Sequence, residues 1–545
     1  MRRKTLLSVI LPLAALILAV AALLIATGGD GSGWLGARLF GTPTPLPSSY
    51  PDFSIPYAIG MAVDDVGWRN WTPENSRDPT LGDYQTIVNV GRNVGSRVMT
   101  AWIMGDLDRD NVLARPEWNQ PLAPSDMTPS GKYWNNRYAV SDEDFAVMEL
   151  VRDNAAYVEF GLHGVAHQHY VGTREQEAEY ARIDASNPGR AQSWGWTDMD
   201  THALAFEELM RQYYDGETSS FPRSFVPPGH AYYYGDDGRG SEASTGALLH
   251  TYGVKYANGD TGVATQLGEG GIDHGVLFMD RAYGCNYNWE GCTAWEGDWN
   301  DLDYPDYPSG EYGWVEAHFP NLWDAEQEWS TYLAGLDDDP GRMLGKNTAQ
   351  VSSQWLYRRY AVLNGSEGTY TIDNTGMVED AYTYGLLGNL VLKTPLAPGE
   401  HVQSASMDHG AQVVGYYEDS GGSSTSDGYG YLVIGHTDNP MGRLERAVYT
   451  LRSALGSTYM PAYVDLAGAT FNVFSFECRA RSATVTLEMY GTQDVRVRLP
   501  FAPTRVRSDN PDLEVVSWSY QAPLAIMRVS GRDMQGEVGT LTIRR

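Results

Sequence analysis

Between residues 55 and 362, short apolar runs alternate with stretches of helical periodicity, and this alternation restricts the fold more than any other feature. YAIGMAV, AAYVEFGLH, RSFVPPG, VKYAN, GVLFMD and GWVEAH each hold a run long enough for a short buried strand. SDEDFAVMELVRDN carries Phe145, Met148 and Val151 at helical spacing behind a Ser141/Asp144 capping pair. THALAFEELMRQYYD, GALLHTYG and DAEQEWSTYLAGL also read as helices. Such alternation predicts a parallel α/β sheet or barrel. Past about Leu363 the character changes. TYTID, LGNLVLKTPL, AQVVGYYED, YGYLVIG, ATVTLEMYG, VRVRLPF, LEVVSWSY and LAIMRVSG follow, separated by Gly, Asp, Asn and Pro turns. They predict one or two β-sandwich modules over 363–545. RLERAVYTLRSAL reads as a helix within that region.

At the N-terminus, Arg2, Arg3 and Lys4 precede an apolar run from Leu6 to about Ala26. About 20 apolar residues span a bilayer, and a signal-peptide core is usually shorter. Residues 1–28 are therefore read as a single-pass anchor with the rest of the chain outside the cytoplasm; a cleaved signal peptide and a secreted protein are the alternative. Residues 29–54 are rich in Gly, Ser, Thr and Pro and read as a linker. The chain has 545 residues, which suits two or three domains. Its net charge of −30 argues against nucleic acid and anionic lipid as partners, so the membrane is met only through the first segment. The 35 Tyr and 16 Trp suit either sugar clefts or ordinary cores. Of three cysteines, Cys285 and Cys292 flank a short loop and form a disulfide if exported; free thiols are the alternative.

Three of the apolar runs end in groups able to do chemistry. Asp64 and Asp65 follow YAIGMAV, His163 follows YVEFGL with His167 four residues on, and His318 follows GWVEA. In an α/β barrel the carboxyl ends of the strands share one mouth. One carboxylate with two imidazoles suits a catalytic divalent ion that keeps a position open for water. A spacing of four on a helical turn puts both imidazoles on one face. Gly164 stands where a zincin HExxH would need its glutamate, no P-loop is present, and three cysteines cannot build a tetrathiolate zinc site.

MAVDDVG, LHGVAHQH, SFVPPGH and WVEAHFPNLW together resemble the motifs of the polysaccharide deacetylase superfamily, the NodB-like or carbohydrate esterase family 4-like group. The resemblance runs from about Pro56 to Tyr360. It implies a deformed (β/α) barrel over 55–362 and says nothing of the β-sandwich modules expected after it. It implies Asp64 as general base, Asp65, His163 and His167 as metal ligands, and His318 as general acid. Pro227 and Pro228 would form one groove wall, with His230 and Trp68 as further substrate contacts. The cofactor would be a divalent ion, zinc first, with cobalt or nickel possible, and the substrate an acetylated polysaccharide that loses acetate. Two positions depart from the family pattern. Gly164 stands where the family has Ser or Thr, and Val226 where it has an arginine, which leaves Arg223 or Arg281 to orient Asp64. Two other functions compete. One is a metal-free glycoside hydrolase using Asp64, Asp65 or the acids of WEGDWNDLDYPDY. The other is a polysaccharide-binding protein whose barrel has lost catalysis. The loop from Tyr283 to Tyr312 is expected to cap or line the groove.

Overall fold

The computed structural model describes residues 49–67, 79–104, 142–165, 168–171, 174–183, 191–193, 196–213, 220–230, 232–233, 244–259, 271–282, 312–419 and 428–545. Seven strands are β1 (Tyr57–Val66), β2 (Val98–Trp102), β3 (Val158–Leu162), β4 (Ser224–Phe225), β5 (Tyr256–Gly259), β6 (Val276–Ala282) and β7 (Tyr312–His318). Each pairs with its successor, every pairing is parallel, and β7 returns to β1, so the sheet closes into a barrel. Helices α1 (Leu81–Val94), α2 (Asp142–Asp153), α3 (Trp196–Tyr213) and α4 (Thr245–Thr251) fall between strands, and α5 (Glu326–Gly335) follows β7.

Alternation along β1 sorts its side chains into two cores. Ile59, Met61 and Val63 face outward into a cluster with Tyr84, Trp102, Phe160 and Leu333. Trp102 carries this layer around the barrel, stacked 5.9 Å from Tyr84 and 5.2 Å from Phe160. Gly60, Ala62 and Asp64 lie beside Trp314, Glu316 and His318 of β7. Neighbours in a parallel ladder share a face, so these six point into the barrel. Gly60 is small of necessity, because a Cβ there would stand 2.5 Å from the Trp314 ring. The lower interior is thus filled by a tryptophan and the upper interior by ionisable groups.

The opposite mouth is closed. After the short strand β8 (Arg342–Leu344), helix α6 (Thr348–Tyr360) brings Val351 and Trp355 into one cluster with Trp314, Met279 and Tyr256 of the barrel. Gln354 donates to Pro56 O at 3.1 Å and exchanges two 2.9 Å bonds with the Val391 backbone. Glu159 accepts from Arg97 at 3.3 Å, from Thr348 at 2.6 Å, and from Ser224.

The remainder is antiparallel sheet apart from one parallel seam. Its strands are β9 (Val362–Ser366), β10 (Thr369–Asp373), β11 (Leu390–Leu396), β12 (His401–Met407), β13 (Ala411–Asp419), β14 (Gly428–His436), β15 (Val448–Gly456), β16 (Tyr463–Asp465), β17 (Asn472–Arg479), β18 (Ser482–Met489), β19 (Thr492–Arg498), β20 (Arg505–Ser508), β21 (Leu513–Gln521), β22 (Leu524–Gly531) and β23 (Glu537–Arg544). A four-stranded sheet β9-β10-β15-β12 faces a seven-stranded one, β11-β14-β13-β16-β19-β22-β21, and β17-β18-β23-β20 forms another. The seven-stranded sheet runs through both halves of the region, joined where β13 meets β16 in parallel.

Three expectations change. RLERAVYTLRSAL holds strand β15, not a helix: Tyr449, Leu451 and Ser453 are buried in alternation between β10 and β12, and sheet pairing overrides the helix-forming Leu, Arg and Ala. Residues 49–54, expected in the linker, lie against the β region, with Ser54 paired to Lys393 and Ser49 bridged to Leu455. Elements α1, β2 and α6 are not among the expected ones; α6 buries Ser352, Ser353 and Gln354, so its inner face carries little apolar periodicity. Among the described residues no helix is long and apolar enough to cross a membrane, and the run from Leu6 to Ala26 lies outside them.

Lys393 of β11 fastens the barrel to this region. Its buried Nζ donates to Asp337 O, Asp339 O and Arg342 O at 2.6–2.7 Å, at the turn before β8. Lys393→Met keeps the volume and removes all three bonds. We expect a loss of about 2–4 kcal/mol, measured as a lower denaturant midpoint of the full chain.

Candidate functional site

The site begins with a fault in β1. Between Val63 and Val66 its register against β2 slips, because three steps along β1 match two along β2 between Thr100 and Trp102. This is a β-bulge, and Asp65 within it has a φ of 59°. Consecutive strand residues normally point to opposite faces. The left-handed turn at Asp65, a conformation Asp tolerates better than most residues, brings it back toward the face of Asp64. Both carboxylates are buried.

Their partners differ. Arg281 of β6 donates from Nη1 to Asp64 Oδ2 at 2.8 Å, and its Nη2 lies 3.6 Å from Glu316 Oε1. Asp64 Oδ1 is buried with no hydrogen-bond partner among the described residues. Asp65 Oδ1 is 3.2 Å from His163 Nε2, and Asp65 Oδ2 is 3.5 Å from His318 Nε2. His318 Nε2 is also 3.8 Å from Glu316 Oε1. The His318 side chain is 23% exposed while those of Asp65 and Glu316 are 3% exposed, so of these three the histidine is nearest to solvent.

His163 is fixed from behind. Its Nδ1 lies 2.8 Å from Val226 O, and a carbonyl only accepts, so Nδ1 carries a proton and Nε2 faces Asp65. Burial would lower its pKa, but the hydrogen bond to Asp65, the charges of Asp64 and Asp65, and the Val226 carbonyl outweigh burial and raise it above the usual histidine value. Val226 occupies the position where an arginine was expected. Its backbone holds His163, and Arg281 reaches Asp64 from another strand. Arg223 is committed elsewhere, to Glu488 at 2.5 Å.

The residues fit a divalent ion. Donor atoms of Asp64, Glu316 and His318 lie within 4.8 Å of one another, and Asp65 and His163 add a facing oxygen and nitrogen. Asp64, Asp65 and Glu316 are buried together, Arg281 meets Asp64 and Glu316, and Asp64 Oδ1 accepts no hydrogen bond among the described residues. A backbone-held imidazole is a common way to aim a metal ligand.

Gly164 has its own explanation. Its φ is 98°, and a Cβ there would stand 2.2 Å from Glu179 Oε2. Glu179 is fully buried, accepts from Val165 N at 2.8–2.9 Å and is 2.6 Å from His202 Nδ1. A buried carboxylate thus supports the His163 loop where a serine or threonine was expected. The helical turn expected at 163–167 is not formed in its described part: residues 163–165 are not helical, and a strand follows at Gln168–Val171.

His167, Trp68, Cys285, Cys292 and most of the Tyr283–Tyr312 loop lie outside the described residues. Pro227 and Pro228 are buried at the end of β4, and His230 ends a 3-10 turn beginning at Pro228. His436 binds His409 O at 3.0 Å, and His401 pairs with Glu418, both far along the chain in the β region. Glu316 was not anticipated. Its signal was its place two residues before His318 on a strand, which puts both on one face.

No protein-family model matches the chain, and no curated protein matches it. Among solved structures it is similar to a family 4 carbohydrate esterase from Streptomyces lividans in complex with acetate. The two are 12% identical, 55% of this chain and 93% of that chain are covered, and the TM-score is 0.24.

Gly164→Ser should destabilise the chain by about 1–3 kcal/mol, through both the φ and the Glu179 contact. Adding Glu179→Ala should not restore stability, because Val165 N and His202 then lose their acceptor. Thermal melts of the two variants check this.

Proposed function

We propose that the chain is an extracellular, metal-dependent carbohydrate deacetylase with a deformed (β/α) barrel of the NodB type over 55–362. On this reading it removes N- or O-acetyl groups from a polysaccharide. The N-terminal segment anchors it to the membrane, and Cys285 and Cys292 form a disulfide outside the cytoplasm. The observation that carries the reading is the division of labour between adjacent aspartates: Asp64 is bound to Arg281, and Asp65 faces His163 and His318.

Asp65, His163 and His167 would hold a divalent ion, zinc first, which when bound would supply carbonyl polarisation and a more acidic water. Arg281 occupies Asp64 Oδ2 and so presents Oδ1, which can accept the proton as the water oxygen attacks the acetyl carbon. His318, partly exposed at the rim, gives a proton to the leaving nitrogen or oxygen as its bond to the acetyl carbon breaks. The products are acetate and a free amine or alcohol on the sugar.

The test measures metal content and acetate release from acetylated glycans on the full chain. Asp65→Asn, whose side chain tolerates the same φ, should lose both. Asp64→Asn should keep the metal and slow acetate release about 10²–10⁴-fold. If Glu316→Gln abolishes metal binding while Asp65→Asn does not, the ion sits among Asp64, Glu316 and His318 and the assigned roles are wrong. Release of reducing ends without acetate would instead support a glycoside hydrolase built on the same acids.

A further inference from the structure

Every residue of the sheet β17-β18-β23-β20 and of its connections is described. Its inner face is apolar: Phe476, Ala483, Val485, Leu541 and Ile543 belong to the core. Directly opposed residues of an antiparallel pair share a face, so the register fixes what stands on the other side. One row across the strands reads Arg479, Ser482, Arg544 and Arg505. The next reads Glu477, Thr484, Thr542 and Arg507, and a third brings Thr486 beside Thr540. The four arginines are exposed, as is Arg481 in the turn between β17 and β18.

This face is basic in an acidic protein. From 466 to 545 the chain has ten arginines against eight acidic residues, while the whole chain carries a net charge of −30. Two of those acids stand at the face and are engaged. Glu477 pairs with Arg479 at 3.2 Å, and Asp509 accepts from Thr540 N at 2.7 Å. Arg505, Arg507 and Arg544 make no ion pair and no side-chain hydrogen bond among the described residues. Arg505 and Arg544 are directly opposed, with Cα atoms about 5 Å apart, where like charges repel. An anion from outside the fold could be shared by both guanidiniums.

We propose that this face docks a carboxylate-bearing polysaccharide, a polyuronate. A carboxylate matches the guanidinium fork with two parallel bonds. The serine and threonine hydroxyls of the rows can meet sugar hydroxyls between the acid groups. The rows form an open surface rather than a cleft, so binding comes from several contacts along one polymer, which reinforce one another. Charge elsewhere on the protein is screened beyond about 8 Å at physiological ionic strength, so the net negative charge does not forbid such binding. No apolar side chain stands in these rows to enter a bilayer, which makes a membrane the poorer match. The choice of a glycan over another polyanion rests on the carbohydrate reading of the barrel. The face would hold the enzyme on an acidic matrix, apart from the barrel mouth.

The test is affinity electrophoresis of the full chain in gels holding polygalacturonate, or the same polymer with its carboxyls methyl-esterified. We expect the acid form to bind about tenfold tighter or more, and to release the chain as salt is raised. Arg505→Gln with Arg507→Gln and Arg544→Gln should weaken that binding about tenfold or more. The same variant should leave acetate release from a soluble acetylated oligomer unchanged, and leave or raise the thermal midpoint, since an opposed pair is relieved. Arg528→Gln, which removes an arginine paired with Asp494 on the seven-stranded sheet, should leave polymer binding intact. If the triple variant fails to fold, Arg505→Gln alone is read the same way. No binding of polygalacturonate, equal binding of the ester, or an undiminished response in the triple variant would overturn the proposal. Phosphatidylglycerol vesicles or duplex DNA bound as tightly, with the same dependence on the three arginines, would also overturn it, by showing a surface for any polyanion. Polygalacturonate binding that persists in a chain releasing no acetate would uphold the face and sink the barrel reading; acetate release without polymer binding would do the reverse.

Discussion

A strand presents consecutive side chains to opposite faces, so two adjacent carboxylates reach one barrel mouth only where that rule is broken. The bulge in β1 and the left-handed backbone at Asp65 break it. An αL residue other than glycine costs on the order of 1–3 kcal/mol and persists only when its surroundings fix it. Here they do. Asp65 is gripped from β3 through His163 and from β7 through His318, and Asp64 from β6 through Arg281. Three strands therefore converge on two residues of a fourth. Closure of the barrel brings β6 and β7 around to β1 and makes that convergence possible.

The polar cluster is stratified. Nearest the mouth are Asp64, Asp65, His163 and His318; beside them Arg281 and Glu316 link β6 to β7. Behind the His163 loop, Glu179 and His202 fill the space that the missing Cβ of Gly164 leaves. Below lies Trp314, and elsewhere in the barrel Glu159 meets Arg97, Ser224 and Thr348. Buried charge is costly unless paired, and these carboxylates are met by cations, hydroxyls or backbone N–H groups. At the mouth, Asp64 Oδ1 is buried with no hydrogen-bond partner among the described residues.

Much of this arrangement was legible in the sequence because buried parallel strands are short apolar runs, and a run that stops at an ionisable residue marks its own chemical end. YAIGMAV before Asp64, YVEFGL before His163 and GWVEA before His318 all show this. What was not legible depends on three-dimensional context. Arg281 lies 217 residues from Asp64, and only the closed ring brings them together. Glu179 lies in a segment whose local pattern gives no sign that it packs behind Gly164. The inner face of α6 is lined by Ser352, Ser353 and Gln354, whose polarity hides its burial. β15 misleads for the opposite reason: its Leu, Arg and Ala suit a helix, and neighbouring strands decide otherwise.

The helix that closes the lower barrel has a consequence for how such a chain can diversify. Trp314 and Met279 from the barrel, Val351 and Trp355 from α6, and Ile434 and Ile543 from the β region belong to one continuous apolar cluster. Arg97 adds a bond to Met534 O and lies 4.2 Å from the Tyr490 ring. The barrel therefore has no lower surface of its own. Recombination that exchanged the β region for an unrelated domain would expose the floor beneath the polar mouth to water. Lineages carrying this barrel should keep or lose the two parts together, and new specificities should arise in the loops above the strand ends rather than by shuffling what lies below.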